Sequence, residues 1–115
     1  MFSESIQVLA ACADVTRLRI LHLLAGAPEF CVSELVSIVG GSQPKISRHL
    51  AYLRAAELVR DRKAGLNVYY RLATKEESPG RAVVDAILAS IGPSAPPRRE
   101  QEAAPPEPEL SIELL

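Results

Sequence analysis

Ser42, Gln43, Lys45, Ser47 and Arg48 gather hydroxyls, a carboxamide and positive charge into one short span of the chain. These types match the edges of base pairs and the phosphates beside them. A glutamine offers a donor and an acceptor side by side, as adenine requires; arginine or lysine meets guanine or phosphate, and a hydroxyl suits either. A second group, Arg62, Lys63 and Asn67, has the chemistry to hold a phosphate backbone or a minor groove, which supplies affinity and register rather than base identity. An outward lysine or arginine is ordinarily only a solvated surface. The elements that carry these residues therefore decide what they mean.

Helical spacing begins with Ile6, Leu9, Ala10 and Ala13. It resumes through Leu18, Ile20, Leu21, Leu23 and Leu24, with Thr16 as the expected cap and Gly26 and Pro28 as the stop. A short third helix opens near Ser33, carries Leu35, Val36 and Val39, and ends at Gly40-Gly41. Ser42 is a good N-cap for the fourth, and Pro44 suits a first turn because its missing N–H has no intrahelical partner there. Ile46, Leu50 and Leu53 stand at i, i+4 and i+7, a stripe that must pack inward. At about 100° per residue, Pro44, Lys45, Arg48, Ala51 and Tyr52 then face outward, with Ser47 on a flank and His49 partly buried beside the stripe.

Across 58–72 the period falls to two, with Ala64-Gly65 as the expected reversal and Tyr69 and Tyr70 packing the hairpin. Such a hairpin is marginal alone and must lean on the helices. A last helix over about 76–91, entered near Ser78 and Pro79, carries Val83, Val84, Ile87, Leu88 and Ile91. Together with the first helix this is more apolar surface than a small domain covers, which points to a homodimer through those two helices. The expected architecture is mainly α with a small β-hairpin, in the order α-α-α-α-β-β-α, a winged helix-turn-helix. Residues 1–92 form the DNA-binding and dimerisation domain; residues 93–115, rich in proline and glutamate, are expected to be disordered.

The net charge of −1 conceals a division. Lys45, Arg48, Arg54, Arg60, Arg62, Lys63 and Arg71 face only Glu57 and Asp61, whereas Glu100, Glu102, Glu107, Glu109 and Glu113 dominate the tail. A polyanion belongs on the basic half. No apolar run has the ~20 residues a membrane-spanning helix needs, and MFSESIQVLA has no basic lead typical of secretory signals. Two widely separated cysteines do not make a disulfide framework, so a reducing cytoplasm is the expected location. Catalysis is disfavoured: the two histidines, His22 and His49, fall on separate expected helices, and no Gly-rich phosphate loop, HExxH or Gly-x-Ser-x-Gly is present.

The segments AACADVTRLRILHLLAG, EFCVSELVSIVG, GSQPKISRHLAYLRAAELVRDRKAG and VYYRL, which together span over half the chain, closely resemble the ArsR/SmtB family of winged-helix transcriptional repressors. The resemblance implies a dimer that binds a palindromic operator in double-stranded DNA near its own promoter and leaves it when an inducer binds. It makes the helix opened by Ser42 the recognition helix and 62–67 the wing. Metalloid-sensing relatives carry two cysteines in a box of the form ELCVCDL; the aligned stretch here is EFCVSEL, with Cys31 retained and Ser33 in place of the second. Trivalent arsenic or antimony favours several sulfur ligands, so Cys31 needs help, and Cys12 supplies it only if the fold or the dimer joins the two thiols. The alternative for Cys12 is a small core residue among Leu9, Ala11 and Ala13. A second family site, made of Asp and His on the last helix, binds zinc; here that helix offers Asp85 and no histidine. The readings left open are a thiol-based sensor of As(III), Sb(III) or an oxidant at Cys31, a regulator without a metal site answering another signal, and a winged helix used for protein contact.

Overall fold

In the computed structural model, residues 2–92 are described, and the expected tail at 93–115 lies outside them. The chain forms α1 (Phe2–Cys12), α2 (Val15–Ala25), β1 (Phe30–Cys31), α3 (Val32–Val39), α4 (Gln43–Ala55), β2 (Val59–Ala64), β3 (Asn67–Leu72) and α5 (Gly80–Ile91). The helix-turn-helix and wing stand where the sequence places them.

α2 begins earlier than expected. Asp14, not Thr16, caps it, in extended backbone with its carboxylate accepting the Arg17 amide at 3.0 Å. A carboxylate at this end also meets the positive pole of the helix, which a threonine does not exploit. Cys31 precedes α3, and its amide donates to Glu34 Oε1 at 2.8 Å. Gly40 and Gly41 then take φ of 92° and 94°, a conformation costly for any residue with a Cβ, and so turn the chain into α4. Ser42 caps α4 by accepting the Lys45 amide at 3.3 Å.

Ile46, Leu50 and Leu53 are each 0% exposed. They meet Leu21, Leu35 and Val59 in one core, to which Val84 of α5 also belongs. Burying three such side chains is worth several kcal/mol, so the rotation of α4 about its axis is strongly determined.

The sheet has a strand that the sequence did not reveal. β1 pairs antiparallel with β3, giving the order β1-β3-β2. Two residues are too few to show a period of two, and Phe30 and Cys31 are recognisable as strand only by their partners Tyr70 and Tyr69. The third strand ties the hairpin to the body, which answers the marginal stability of two strands alone. The reversal is shifted by one from Ala64-Gly65: Ala64 pairs with Asn67, leaving Gly65-Leu66 as the loop. The first central residue of such a loop needs positive φ, and Gly65 has 64°.

α5 starts at Gly80 rather than near 76. The Glu77 carboxylate accepts the Thr74 amide at 2.9 Å, the Thr74 hydroxyl accepts the Glu77 amide at 3.2 Å, and this reciprocal pair closes a separate turn. Arg71 forks onto the same carboxylate at 2.8 and 2.9 Å, and together these contacts bring Glu77 down to about 2. Gly80 follows because α5 comes close here to α1 and to the link between α4 and β2; an added Cβ would lie 2.8 Å from Leu58 Cδ2 and 2.9 Å from Val8 Cγ2.

Replacing Leu50 with alanine should cost about 2–5 kcal/mol of unfolding free energy, read as a lower denaturant midpoint at unchanged slope. A loss under 1 kcal/mol would mean that α4 is not held by its stripe.

Candidate nucleic-acid interface

Burying the stripe turns the opposite side of α4 to solvent. Ser42, Gln43, Lys45, Ser47 and Arg48 are all exposed there, on the first two turns. Among the described residues neither Lys45 nor Arg48 has an ion-pair partner. The Ser42 oxygen is engaged as the cap, which leaves its O–H as the group free to donate outward. The N-terminal half of α4 thus presents donors and unneutralised charge on a rigid element.

The wing residues separate into two kinds. Lys63 and Asn67 are exposed on either side of the Gly65-Leu66 loop. Arg62 is engaged within the protein. Its Nε donates to Glu29 Oε2 at 3.1 Å, and its guanidinium lies over the Tyr69 ring at 4.7 Å. The guanidinium holds the Glu29 carboxyl below its ordinary range. A phosphate contact by Arg62 has to displace Glu29, whereas Lys63 has no such competitor among the described residues.

The thiols also part company. Cys12 is 7% exposed and belongs to the core, and burial pushes its thiol above the ordinary value, with the Arg17 charge opposing. Cys31 is half-buried at the sheet edge, its sulfur 3.1 Å from Ser33 Oγ. No group of three or more His, Cys, Asp or Glu side chains able to hold a metal ion occurs among the described residues. Directly across the sheet, Cys31 pairs with Tyr69 and Tyr69 with Arg62, so the half-buried thiol, the ring and the wing arginine lie in one cross-strand row.

His49 is half-buried on the flank of the stripe, as its position on α4 suggests. Its Nδ1 lies 3.4 Å from Arg17 Nη1 and 3.9 Å from Asp14 Oδ2. Arginine can only donate, so this contact requires a free lone pair on Nδ1. Burial lowers the imidazole below its usual value, and Asp14 only partly restores it. Arg17 itself carries no signal in the sequence, because its partners on α4 are more than thirty residues away.

The sequence profile described as "Bacterial regulatory protein, arsR family" matches residues 14–61, from the cap of α2 into β2. The chain is 44% identical over 92 residues to the arsenic resistance transcriptional regulator ArsR1 of Pseudomonas putida, covering 76% of this chain and 72% of that one. The chain belongs to the ArsR family of bacterial regulatory proteins. It is also 50% identical over 72 residues to the arsenical resistance operon repressor of Escherichia coli, a match that takes in 63% of this chain and 62% of the relative, leaving over a third of that protein outside it. HlyU from Vibrio cholerae superposes with a TM-score of 0.65 at 35% identity, covering 76% of this chain and 91% of that one. The AntR antimony-specific transcriptional repressor superposes with a TM-score of 0.65 at 28% identity, covering 77% and 78%. Within this ArsR-family fold α4 is the second helix of the helix-turn-helix, and its exposed face carries Lys45 and Arg48. No helix among the described residues is long and apolar enough to cross a membrane.

The His49 geometry has a pH consequence. Its folded-state value is depressed, so its contribution to stability is fully present above the ordinary imidazole value of 6.5 and is lost as pH falls through the lowered folded value. Between pH 7.5 and 5, the native chain should lose more stability than a His49→Gln variant. Parallel pH profiles would show that His49 is not held neutral.

Proposed function

We propose that this chain is a dimeric transcriptional repressor that binds a palindromic operator through α4 and is released when its inducer acts at Cys31. The observation that carries the reading is the pairing of a fully buried stripe on α4 with exposed Lys45 and Arg48 on the opposite side, neither of them ion-paired among the described residues. Ser42, Gln43, Lys45, Ser47 and Arg48 enter the major groove of each half-site, and Lys63 and Asn67 hold the flanking backbone or minor groove. Arg62 joins them when the duplex displaces Glu29. The role is regulatory, exercised in the cytoplasm, and involves no catalysis.

Dimerisation is supported by an apolar surface that the folded chain leaves in water. Phe2, Ile6 and Leu9 on α1 are 85%, 63% and 51% exposed, and Ile91 on the adjoining α5 is 47% exposed. Phe2, Ile6 and Leu9 recur at i, i+4 and i+7, one face of the helix, and an isologous pairing of that face with its copy removes it from water.

For the inducer, the relatives named for arsenic and the neighbour named for antimony favour a thiophilic metalloid, As(III) or Sb(III). Cys31 is the accessible thiol. Cys12 would reach a shared metalloid only after leaving the core, so one chain offers a single-thiol site, open equally to a thiol oxidant. The cross-strand row from Cys31 through Tyr69 to Arg62 gives an adduct at the thiol a direct mechanical route to the wing.

The test is fluorescence anisotropy on a duplex from the chain's own upstream region, with a scrambled duplex as control. Native protein should bind the upstream duplex preferentially, with affinity falling steeply with salt as counterions are released. Arg48→Ala should remain a folded dimer and lose about 1–3 kcal/mol of binding. Unchanged affinity would remove Arg48 from the interface, and no preference for any duplex at low salt would favour a protein-contact role. Ile6→Glu should yield a folded monomer that no longer binds the palindrome; a dimer by sedimentation would place the interface elsewhere. Arsenite, antimonite or an oxidant should release the native chain from DNA and leave Cys31→Ser bound. Release of that variant by the same agent would refute the role of Cys31.

A further inference from the structure

Arg17, in the first turn of α2, grips two other helices at once. Its Nε donates to the Ala11 carbonyl at 2.9 Å and its Nη2 to the Ala10 carbonyl at 3.2 Å. Both carbonyls belong to the last turn of α1, which has no basic residue of its own to meet its negative pole. On the other side, Nη1 lies 3.4 Å from His49 Nδ1, and the guanidinium carbon stands 4.0 Å from the centroid of the Tyr52 ring. Both of those partners are on α4. The Arg17 amide is fixed in turn by Asp14.

The side chain uses its planar edge for carbonyls and its face for the ring. A lysine ammonium cannot do both, since it has neither the fork nor the flat face. A second tie runs parallel to the first: Gln7 Nε2 of α1 donates to the Ala55 carbonyl at the end of α4, at 3.4 Å. α1 is thereby attached to α4 at its middle and at its end. The same α1 carries the exposed Phe2, Ile6 and Leu9.

We propose that Arg17 is a positioning residue that locks the recognition helix to the dimer-forming helix and so sets the half-site separation the protein accepts. The proposal rests on the dimeric DNA-binding reading above. One base pair of separation moves a half-site by about 3.4 Å and rotates it by roughly 34°, so a dimer with rigidly held α4 helices tolerates little error. Loosening the Arg17 grip lets each α4 adjust independently. The variant then reads the same bases but becomes less particular about how far apart they lie.

The experiment uses the full chain and a palindromic duplex selected by the wild type from a random-sequence pool, together with versions lengthened or shortened by one base pair between half-sites. Wild type should prefer the selected separation by about tenfold or more, and Arg17→Lys should lose about tenfold there while discriminating by less than about threefold. Its salt dependence at the selected separation should match wild type, because Arg17 neutralises no phosphate in this account. An equal loss at every separation overturns the proposal, as does a salt slope reduced by about one, which would make Arg17 a phosphate contact. If Arg17→Lys does not fold, Tyr52→Leu carries the test, since Tyr52 is 43% exposed and its loss removes the ring contact on α4 while leaving the bonds to α1 in place. Relaxed separation preference in that variant supports the role, and an unaltered preference overturns it. A wild-type chain indifferent to separation overturns the dimeric reading itself, and this role with it.

Discussion

The orientation of α4 follows from one constraint, the complete withdrawal of Ile46, Leu50 and Leu53 from water. A helix with those three side chains inward has no choice about where Lys45 and Arg48 go, because the 3.6-residue repeat fixes the opposite side. The core partners come from α2, α3, β2 and α5, so the whole domain holds this one rotation. The cap at Ser42 and the two positive-φ glycines before it fix where the helix begins. The polar face of α4 is thus placed by apolar packing and turn geometry, and its side chains do not have to hold themselves in position.

Charge at the interface is distributed by the same logic. Arg54 pairs with Asp61 and Arg62 with Glu29, so part of the basic segment serves the body of the protein. These exposed pairs contribute little to stability. Lys45, Arg48 and Lys63 are, by contrast, among the cations that have no ion-pair partner within the described residues. The Glu29–Arg62 pair is also the point where the loop leading to Cys31 meets the wing. Only β3 separates the Cys31 thiol from the β2 arginine, so the thiol and the hairpin lie within one short cross-strand row.

What could be read from the sequence was what repeats locally. The α4 stripe, the hairpin alternation and the glycine stops all declare themselves within a few residues, and the partly buried His49 follows from its angle to the stripe. β1 did not declare itself, because a two-residue strand has no period and exists only through Tyr69 and Tyr70. The start of α5 was misplaced because the reciprocal Thr74–Glu77 bonds close a turn that the apolar pattern ignores. The division between Arg62 and Lys63 depends on Glu29, 33 positions away, and Arg17 depends on α4 at a similar remove. Pairing at such distance is a product of the fold, and no local pattern announces it.

On the function proposed above, the face of α4 opposite its buried stripe enters duplex DNA. Backbone and side-chain NMR shifts of the full chain, followed as its upstream duplex is added, test that claim residue by residue. The largest changes should fall at 42–48, with a second group around Lys63 and Asn67. Changes confined to α1 and α5, with 42–48 unmoved at saturating duplex, would contradict it.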